Sequence, residues 1–231
     1  MNLPLEYSEL SQYFDALGCS SPDKVNRRIG ALLKKYKIKT VLDLTCGTGA
    51  QVLWLAKQGF QVVGSDLSPK LLKIAQQKAR AEHLKIKFLQ SDMRTVQAGQ
   101  FDAAITIFNA VGHLTRRGFE KAIKNISTHL KTDGLYIFDI FNFNALSKKD
   151  LVCMNVETKK NLGNLTLHHT QYSKLDKQKQ HLISYDKFCL QYKTGKSKII
   201  KGKFSLQIYT AKELKEMLAQ HGFKVIELLT I

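Results

Sequence analysis

The chain has 231 residues, of which 44% are apolar and 24% charged, a composition typical of a globular protein with a sizeable hydrophobic core. No apolar run approaches the roughly 18 residues that a membrane-spanning helix needs, and the N-terminus lacks the pattern of a signal peptide. The four cysteines are scattered without metal-ligand spacing. We therefore expect a cytoplasmic, metal-free protein, with a net charge of +17 from 36 basic and 19 acidic residues.

Helix and strand patterns alternate through the first 140 residues. Ser21-Pro22 predicts the start of a helix, and apolar residues keep helical spacing over residues 25–38. Ser68-Pro69 repeats that start signal, and a third helical stripe covers residues 119–130. Short apolar strands separate these helices, so the sequence predicts an α/β fold with a doubly wound, mostly parallel sheet.

The first strand, residues 41–44, runs into the turn Thr-Cys-Gly-Thr-Gly, and the next strand ends at Asp66. This order is typical of a nucleotide-type cofactor site at the carboxyl edge of a parallel sheet. A dinucleotide site needs a third glycine three residues after Gly49, and that glycine is absent. Asp43, four residues before Gly47, suits a cationic ligand better than a diphosphate.

At these residues the sequence resembles the class I S-adenosylmethionine-dependent methyltransferases. Later segments match the family in order: a second strand ending at Asp66, a third ending at Asp92, a fourth over residues 101–109 and a fifth over residues 135–140. The resemblance implies S-adenosylmethionine as cofactor, S-adenosylhomocysteine as product and a Rossmann-like core. It also implies these cofactor-binding residues: Asp43, Thr45, Gly47, Gly49, Asp66, Leu67, Asp92, Met93 and Phe108.

The resemblance assigns a role to several of these residues. Asp66 would bind the ribose hydroxyls, and Leu67 would flank the adenine. Asp92 would accept a hydrogen bond from the adenine amino group, with Met93 lining the ring. Phe108 would end the strand that runs beneath the methionine part of the cofactor.

Residues 142–209 change to short segments rich in β-forming residues, with hairpin turns predicted near residues 175–177 and 193–196. We interpret residues 146–203 as an antiparallel β insertion between a core of residues 1–145 and its continuation, residues 204–231. Family members that resemble glycine, sarcosine and amino-sugar N-methyltransferases use such an insertion as a roof over a small-molecule substrate. The family's sheet ends in a sixth and a seventh strand, whereas this sequence ends in or just after a predicted sixth, residues 223–229. Either the insertion supplies the missing strand or, as we expect, it lies beyond this sequence.

Three functions agree with these patterns. The favoured one is N- or O-methylation of a small molecule by in-line methyl transfer. The second is methylation of RNA, because residues 147–209 carry thirteen lysines against four acidic residues, a charge that attracts nucleic acid. The third is a catalytically silent cofactor-binding protein. No oligomeric state follows from the sequence.

Candidates for the chemistry are few. His113, just past the fourth strand, is a candidate general base or substrate contact, and Asn109 is a candidate substrate contact. Tyr13 matches the family's N-terminal element that folds over the cofactor. His168 and His169 are neighbours in a predicted strand, so they should face opposite sides and not share a metal.

Overall fold

The computed structural model describes residues 3–18, 23–148 and 153–229, and its first layer is a five-stranded sheet. The strands are β1 (Thr40–Asp43), β2 (Gln61–Asp66), β3 (Lys87–Gln90), β4 (Phe101–Thr106) and β5 (Leu130–Phe138). They lie in the order β3-β2-β1-β4-β5, and every neighbouring pair is parallel. The predicted doubly wound sheet is confirmed, and the strand order reverses between β1 and β4, where such folds bind ligands.

Six helices accompany the sheets in the described residues: α1 (Asp23–Lys35), α2 (Ala50–Lys57), α3 (Pro69–Ala81), α4 (Arg116–Thr128), α5 (Phe143–Lys148) and α6 (Ala211–Gln220). The start of α3 is as predicted, because the Ser68 hydroxyl accepts the N–H of Leu71 and Pro69 is the first helical residue. The predicted helix start at Ser21-Pro22 lies outside the described residues.

The sheet is covered on both faces, as parallel sheets generally are. Successive side chains of a strand point to opposite faces, and the fully buried pair Val41 and Leu42 illustrates this arrangement. Leu42 packs into a cluster with Phe119 from α4, whereas Val41 packs into a second cluster with Leu33 from α1. The two clusters therefore cover opposite faces of the parallel sheet.

The second layer is an antiparallel sheet in the region predicted as an insertion. Its strands are β6 (Cys153–Asn161), β7 (Leu165–Asp176), β8 (His181–Tyr192) and β9 (Ser197–Gln207), and each pairs with the next in chain order. The antiparallel character is confirmed, and both predicted hairpin turns are present at residues 177–180 and 193–196. The last strand continues to Gln207, four residues past the predicted boundary at residue 203.

The two faces of the antiparallel sheet differ in burial. Alternate residues are buried in β8 from Leu182 to Leu190 and in β7 from Leu165 to Ser173, except the half-buried Gln171. We call this side the inner face. The N-terminal segment, residues 3–18, packs against it, because Leu5 and Leu10 join the cluster formed by Leu165 and its neighbours.

Two details of the sequence prediction are wrong. Residues 223–229 pair with none of the described strands, so the predicted sixth strand is absent there. A strand needs a neighbour for its backbone hydrogen bonds, and here Phe223 and Val225 instead pack their side chains against the α4 cluster. Leu130, predicted as the end of a helix, is the first residue of β5.

The antiparallel sheet does not supply the missing strand. Among the described residues it shares no strand with the parallel sheet. An isolated parallel bridge joins Asn142, after the parallel sheet, to Tyr209, after the antiparallel sheet.

In the same described ranges, no helix is both long enough and apolar enough to span a membrane.

Candidate cofactor and substrate site

The glycine turn joins β1 to α2 at the point where the strand order reverses. Gly47 and Gly49 have positive φ angles of 52° and 88°, which side chains rarely adopt. A Cβ on Gly49 would lie 3.1 Å from the Cβ of Ala75 in α3. The turn therefore requires glycine at residue 49 both for its backbone conformation and for the close approach of α3.

Asp43, at the end of β1, is buried and accepts a hydrogen bond from the N–H of Thr45 at 3.1 Å. Burial raises the pKa of Asp43 to about 7, and the nearby charge of Asp66 adds to the rise. The Thr45 hydroxyl is buried and has no hydrogen-bond partner among the described residues. A carboxyl group and a free hydroxyl thus lie together beside the turn, which fits a ligand that carries a cation and polar groups.

Asp66 ties the end of β2 to the turn. One carboxylate oxygen accepts the N–H of Gly47 at 2.8 Å, and the other accepts the N–H of Ser68 at 2.8 Å. Burial raises its pKa, and these backbone hydrogen bonds oppose that rise. The adjacent Leu67 is 45% exposed, an apolar surface beside the carboxylate, as expected for a residue that flanks a ring.

Asp92, after β3, is already engaged in the structure. The Nε and Nη2 atoms of Arg94 donate to its carboxylate at 2.9 and 2.5 Å, and the Arg94 N–H donates at 2.8 Å. The guanidinium holds the pKa of Asp92 below its usual range. The sequence reasoning missed Arg94, although its position two residues after a site carboxylate is a usable signal. Met93 packs against the α4 cluster.

Phe108 and Asn109 follow β4 with successive positive φ angles of 62° and 55°. Such strain in residues other than glycine is concentrated at functional sites. The N–H of Asn109 donates to Asp139 at 2.9 Å, and its side-chain oxygen accepts the N–H of Phe141 at 3.0 Å. Its Nδ2 is buried without a partner among the described residues, and the Phe108 ring is 39% exposed.

His113 lies in a short 3-10 helix, Ala110–His113, directly after this strained pair. Its ring centroid lies 5.6 Å from that of Tyr7 and 5.7 Å from that of Phe204. Burial lowers the pKa of His113 to about 4, and its Nδ1 has no partner in the described ranges. At neutral pH the imidazole is therefore uncharged.

The N-terminal segment crosses over the glycine turn. The ring of Phe14 lies 3.7 Å from where a Cβ on Gly47 would be. The Thr48 hydroxyl donates to Asp15 at 2.7 Å, and the Ser68 hydroxyl donates to the Tyr7 carbonyl at 2.6 Å. The segment is thereby joined to the turn and to the end of β2.

Tyr13, the residue predicted from the segment, packs against the inner-face cluster of Leu165 and its neighbours. Its neighbour Phe14 is the one that contacts the glycine turn. The sequence reasoning missed Tyr7 and Phe14, whose aromatic side chains beside acidic residues were the available signal.

The two adjacent histidines face opposite sides of the antiparallel sheet, as the strand period requires. His168 contacts Glu157 at 2.5 Å on the exposed face, whereas His169 contacts Asp186 at 2.9 Å on the inner face. Within the described residues, no group of three or more His, Cys, Asp or Glu side chains has the arrangement of a metal site.

Comparison with known families agrees with this geometry. Residues 41–134 match the family described as "Methyltransferase domain", a range that includes β1 to β4 and the site residues from Asp43 to His113. Residues 41–134 are therefore similar to methyltransferase domains. The strand order and the glycine turn agree with the class I, S-adenosylmethionine-dependent type that the sequence resemblance implied.

The relatives of this chain align with it over only part of their own length. YqeM of Bacillus subtilis (strain 168) is 36% identical over 138 residues, which cover 58% of this chain and 55% of YqeM. Glycine/sarcosine N-methyltransferase of Parasynechococcus marenigrum (strain WH8102) is 35% identical over 119 residues, covering 50% of this chain and 42% of that enzyme. The chain thus spans about half the length of these relatives.

Several solved structures share the fold over nearly the whole chain, and one of them illustrates the match. It is S-adenosylmethionine-bound CalS10, an amino pentose methyltransferase from Micromonospora echinaspora, with a TM-score of 0.72 and 18% identity. The match covers 96% of this chain and 90% of CalS10. The antiparallel sheet, which lies outside the matched methyltransferase domain, is therefore part of a fold found elsewhere.

Proposed function

We propose that this protein transfers the methyl group of S-adenosylmethionine to a nitrogen or oxygen atom of a small molecule. The observation that carries the proposal is the position of the antiparallel sheet. Phe204 on its inner face packs against His113, directly after the strained end of β4. A sheet held there restricts access of a macromolecule to the cofactor edge and favours a small acceptor.

The residues at the carboxyl edge fit the cofactor. Asp43 offers a carboxylate to its ammonium group, and Thr45 a free hydroxyl. Asp66 and Asp92 are the proposed partners of the ribose and the adenine. Arg94 must release part of the Asp92 carboxylate for an adenine amino group to bind there, because it now occupies both oxygens.

When bound, the cofactor supplies an electrophilic methyl group on a sulfonium. The chain's own residues then have to position the acceptor in line and keep water away. Neutral His113 can accept a proton or a hydrogen bond at Nδ1, and Asn109 can donate one from Nδ2. Phe14 and Tyr7 of the N-terminal segment cover the turn. We keep Tyr13 as a lid residue that acts through the packing of this segment.

The relatives' names support a small acceptor. One acts on glycine and sarcosine and one on an amino pentose, and both acceptors are small enough for an enclosed site. For this chain we propose only that the methyl acceptor is a small molecule.

The test is transfer of labelled methyl groups from S-adenosylmethionine into an extract separated into small molecules, RNA and protein. We expect label among the small molecules, in an amount that depends on intact Asp66. Label in RNA would instead support docking on the lysine-rich antiparallel sheet, and its steep decrease with salt would identify phosphate contacts. Cofactor binding without any transfer would indicate a silent binding protein.

A further inference from the structure

A polar group interrupts the apolar inner face of the antiparallel sheet. One oxygen of Asp186, in β8, is in contact with Nε2 of His169 at 2.9 Å and accepts a hydrogen bond from Gln171 Nε2 at 2.9 Å. Both partners lie on the neighbouring strand β7. The His169 ring is also stacked on Phe188, with centroids 4.1 Å apart. Asp186 is therefore held in one orientation by its neighbours.

The second carboxylate oxygen of Asp186 has no hydrogen-bond partner among the described residues. The residue is only 3% exposed, and this Oδ2 atom is buried. A buried carboxylate oxygen without a partner is destabilising, because it has lost its hydration without gaining a hydrogen bond.

Glu6 repeats the pattern from the N-terminal segment. It is 7% exposed, and its Oε2 is buried without a partner in the described part of the chain. Burial raises the pKa of Glu6, and the charge of Asp186 raises it further, whereas His169 lowers it. The backbone places them close together, because Leu5 Cδ1 lies 2.9 Å and Asp186 Cβ 3.8 Å from where a Cβ on Gly202 would be. Two carboxyl groups from different elements are thus neighbours, each with a free oxygen.

These oxygens lie next to the proposed active site. Glu6 is adjacent to Tyr7, whose ring contacts His113 and whose carbonyl accepts a hydrogen bond from Ser68. Asp186 pairs with Gly202 of β9, two residues from Phe204, the other ring in contact with His113. Each carboxylate thus belongs to a residue that is one or two positions, along the chain or across the strand pair, from a residue in contact with His113.

We propose that Asp186 and Glu6 form a binding site for an ammonium group of the methyl acceptor. An ammonium fits better than a guanidinium, which prefers both oxygens of one carboxylate, because one Asp186 oxygen is already occupied. Two single oxygens from separate carboxylates match the several N–H donors of an ammonium. The group anchors the substrate whether it or another atom receives the methyl group.

Entry requires movement of the N-terminal segment, since both free oxygens are closed to solvent in this structure. The segment carries Glu6 itself, so binding of the cation and closure of the segment are one event. The site rests on the proposed small-molecule function, and the experiment has to separate the two.

The first measurement uses wild-type protein and a small-molecule extract passed over a strong cation exchanger at pH 2, which retains compounds with an amine. We expect the methyl-acceptor activity in the retained fraction. Acceptor activity in the flow-through would overturn the ammonium site and leave the proposed function intact. If no fraction of the extract accepts methyl groups, the proposed function fails and the ammonium site with it.

The second measurement uses the variants Asp186→Asn and Glu6→Gln, which keep the size of each side chain. We expect the KM for the retained acceptor to rise at least about tenfold in each, with unchanged affinity for S-adenosylmethionine. The control is Glu157→Gln, an exposed carboxylate on the other face of the same sheet. If Asp186→Asn fails to bind the cofactor and is misfolded, Glu6→Gln decides the result. An unchanged KM in a folded variant would overturn the site.

Discussion

Replacement of Asp43 by asparagine should make the stability of this protein less dependent on pH. Asp43 is buried, and its pKa lies at about 7 instead of 3.8. The folded state therefore binds a proton between these two values that the unfolded chain has released. Because the folded pKa is raised, the stabilisation is fully present below pH 3.8 and is lost as the pH rises through 7.

The size of the effect follows from the two pKa values. The full difference of about 3 units corresponds to about 4 kcal/mol at 1.36 kcal/mol per unit. Between pH 5.5 and pH 8 the wild-type protein should lose about 2 kcal/mol through this group. The asparagine of the Asp43→Asn variant does not titrate, so the variant should not lose this stability of about 2 kcal/mol. Its free energy of unfolding therefore rises relative to that of the wild type as the pH rises.

Urea unfolding of both proteins at pH 5.5, 6.5, 7.2 and 8.0 measures the difference directly. We expect the free energy of unfolding of Asp43→Asn, relative to the wild type, to increase by about 2 kcal/mol over this range. The control, Glu216→Gln, changes an exposed carboxylate that pairs only loosely with Lys212. A constant difference between Asp43→Asn and the wild type would refute the argument that Asp43 is buried in the protonated form below pH 7.

The same group and its neighbours give further expectations. Asp66→Ala should weaken S-adenosylmethionine binding by about 1.5–3 kcal/mol in calorimetry, and unchanged binding would move the ribose site elsewhere. Gly47→Val should abolish that binding in a folded protein, because φ is 52° and the Phe14 ring lies close by; near-normal affinity would exclude the turn as the site. His113→Ala should reduce turnover without changing cofactor affinity, and an undiminished rate would return His113 to a packing role. Arg94→Ala should tighten cofactor binding if Arg94 competes for its neighbouring carboxylate, and weaker binding would show that the arginine supports the site.

Much of the parallel sheet could be predicted because its signals are local. The turn needs glycine at residues 47 and 49, the helix start needs Ser68 and Pro69, and each of these requirements lies within a few residues of sequence. The family motif places Asp43 and Asp66 at the ends of neighbouring strands. The structure adds what each carboxylate does in the fold, namely that Asp66 joins the turn through the N–H of Gly47.

The failures have a different cause, because they concern partners that are distant in sequence. Residues 223–229 are rich in apolar, β-forming residues, but a strand also needs a backbone partner. In the structure Glu227 instead bonds to Lys35 and Tyr36, about 190 residues away. The packing of Tyr13 against the inner-face cluster likewise involves residues that are distant in sequence, and its role as a lid residue stays a prediction.

The surroundings of Asp186 depend both on a local sequence pattern and on contacts with residues distant in sequence. From Leu182 to Leu190 the buried positions of β8 alternate strictly, and Ser184 and Asp186 are the only polar residues among them. That interruption is visible in the sequence and marks a polar site on an apolar face. Its partner His169 depends on the register of β7 against β8, and a slip of one residue would turn Asp186 to the other face. The turn at residues 177–180 fixes that register, so the proposed ammonium site depends on a hairpin rather than on a motif.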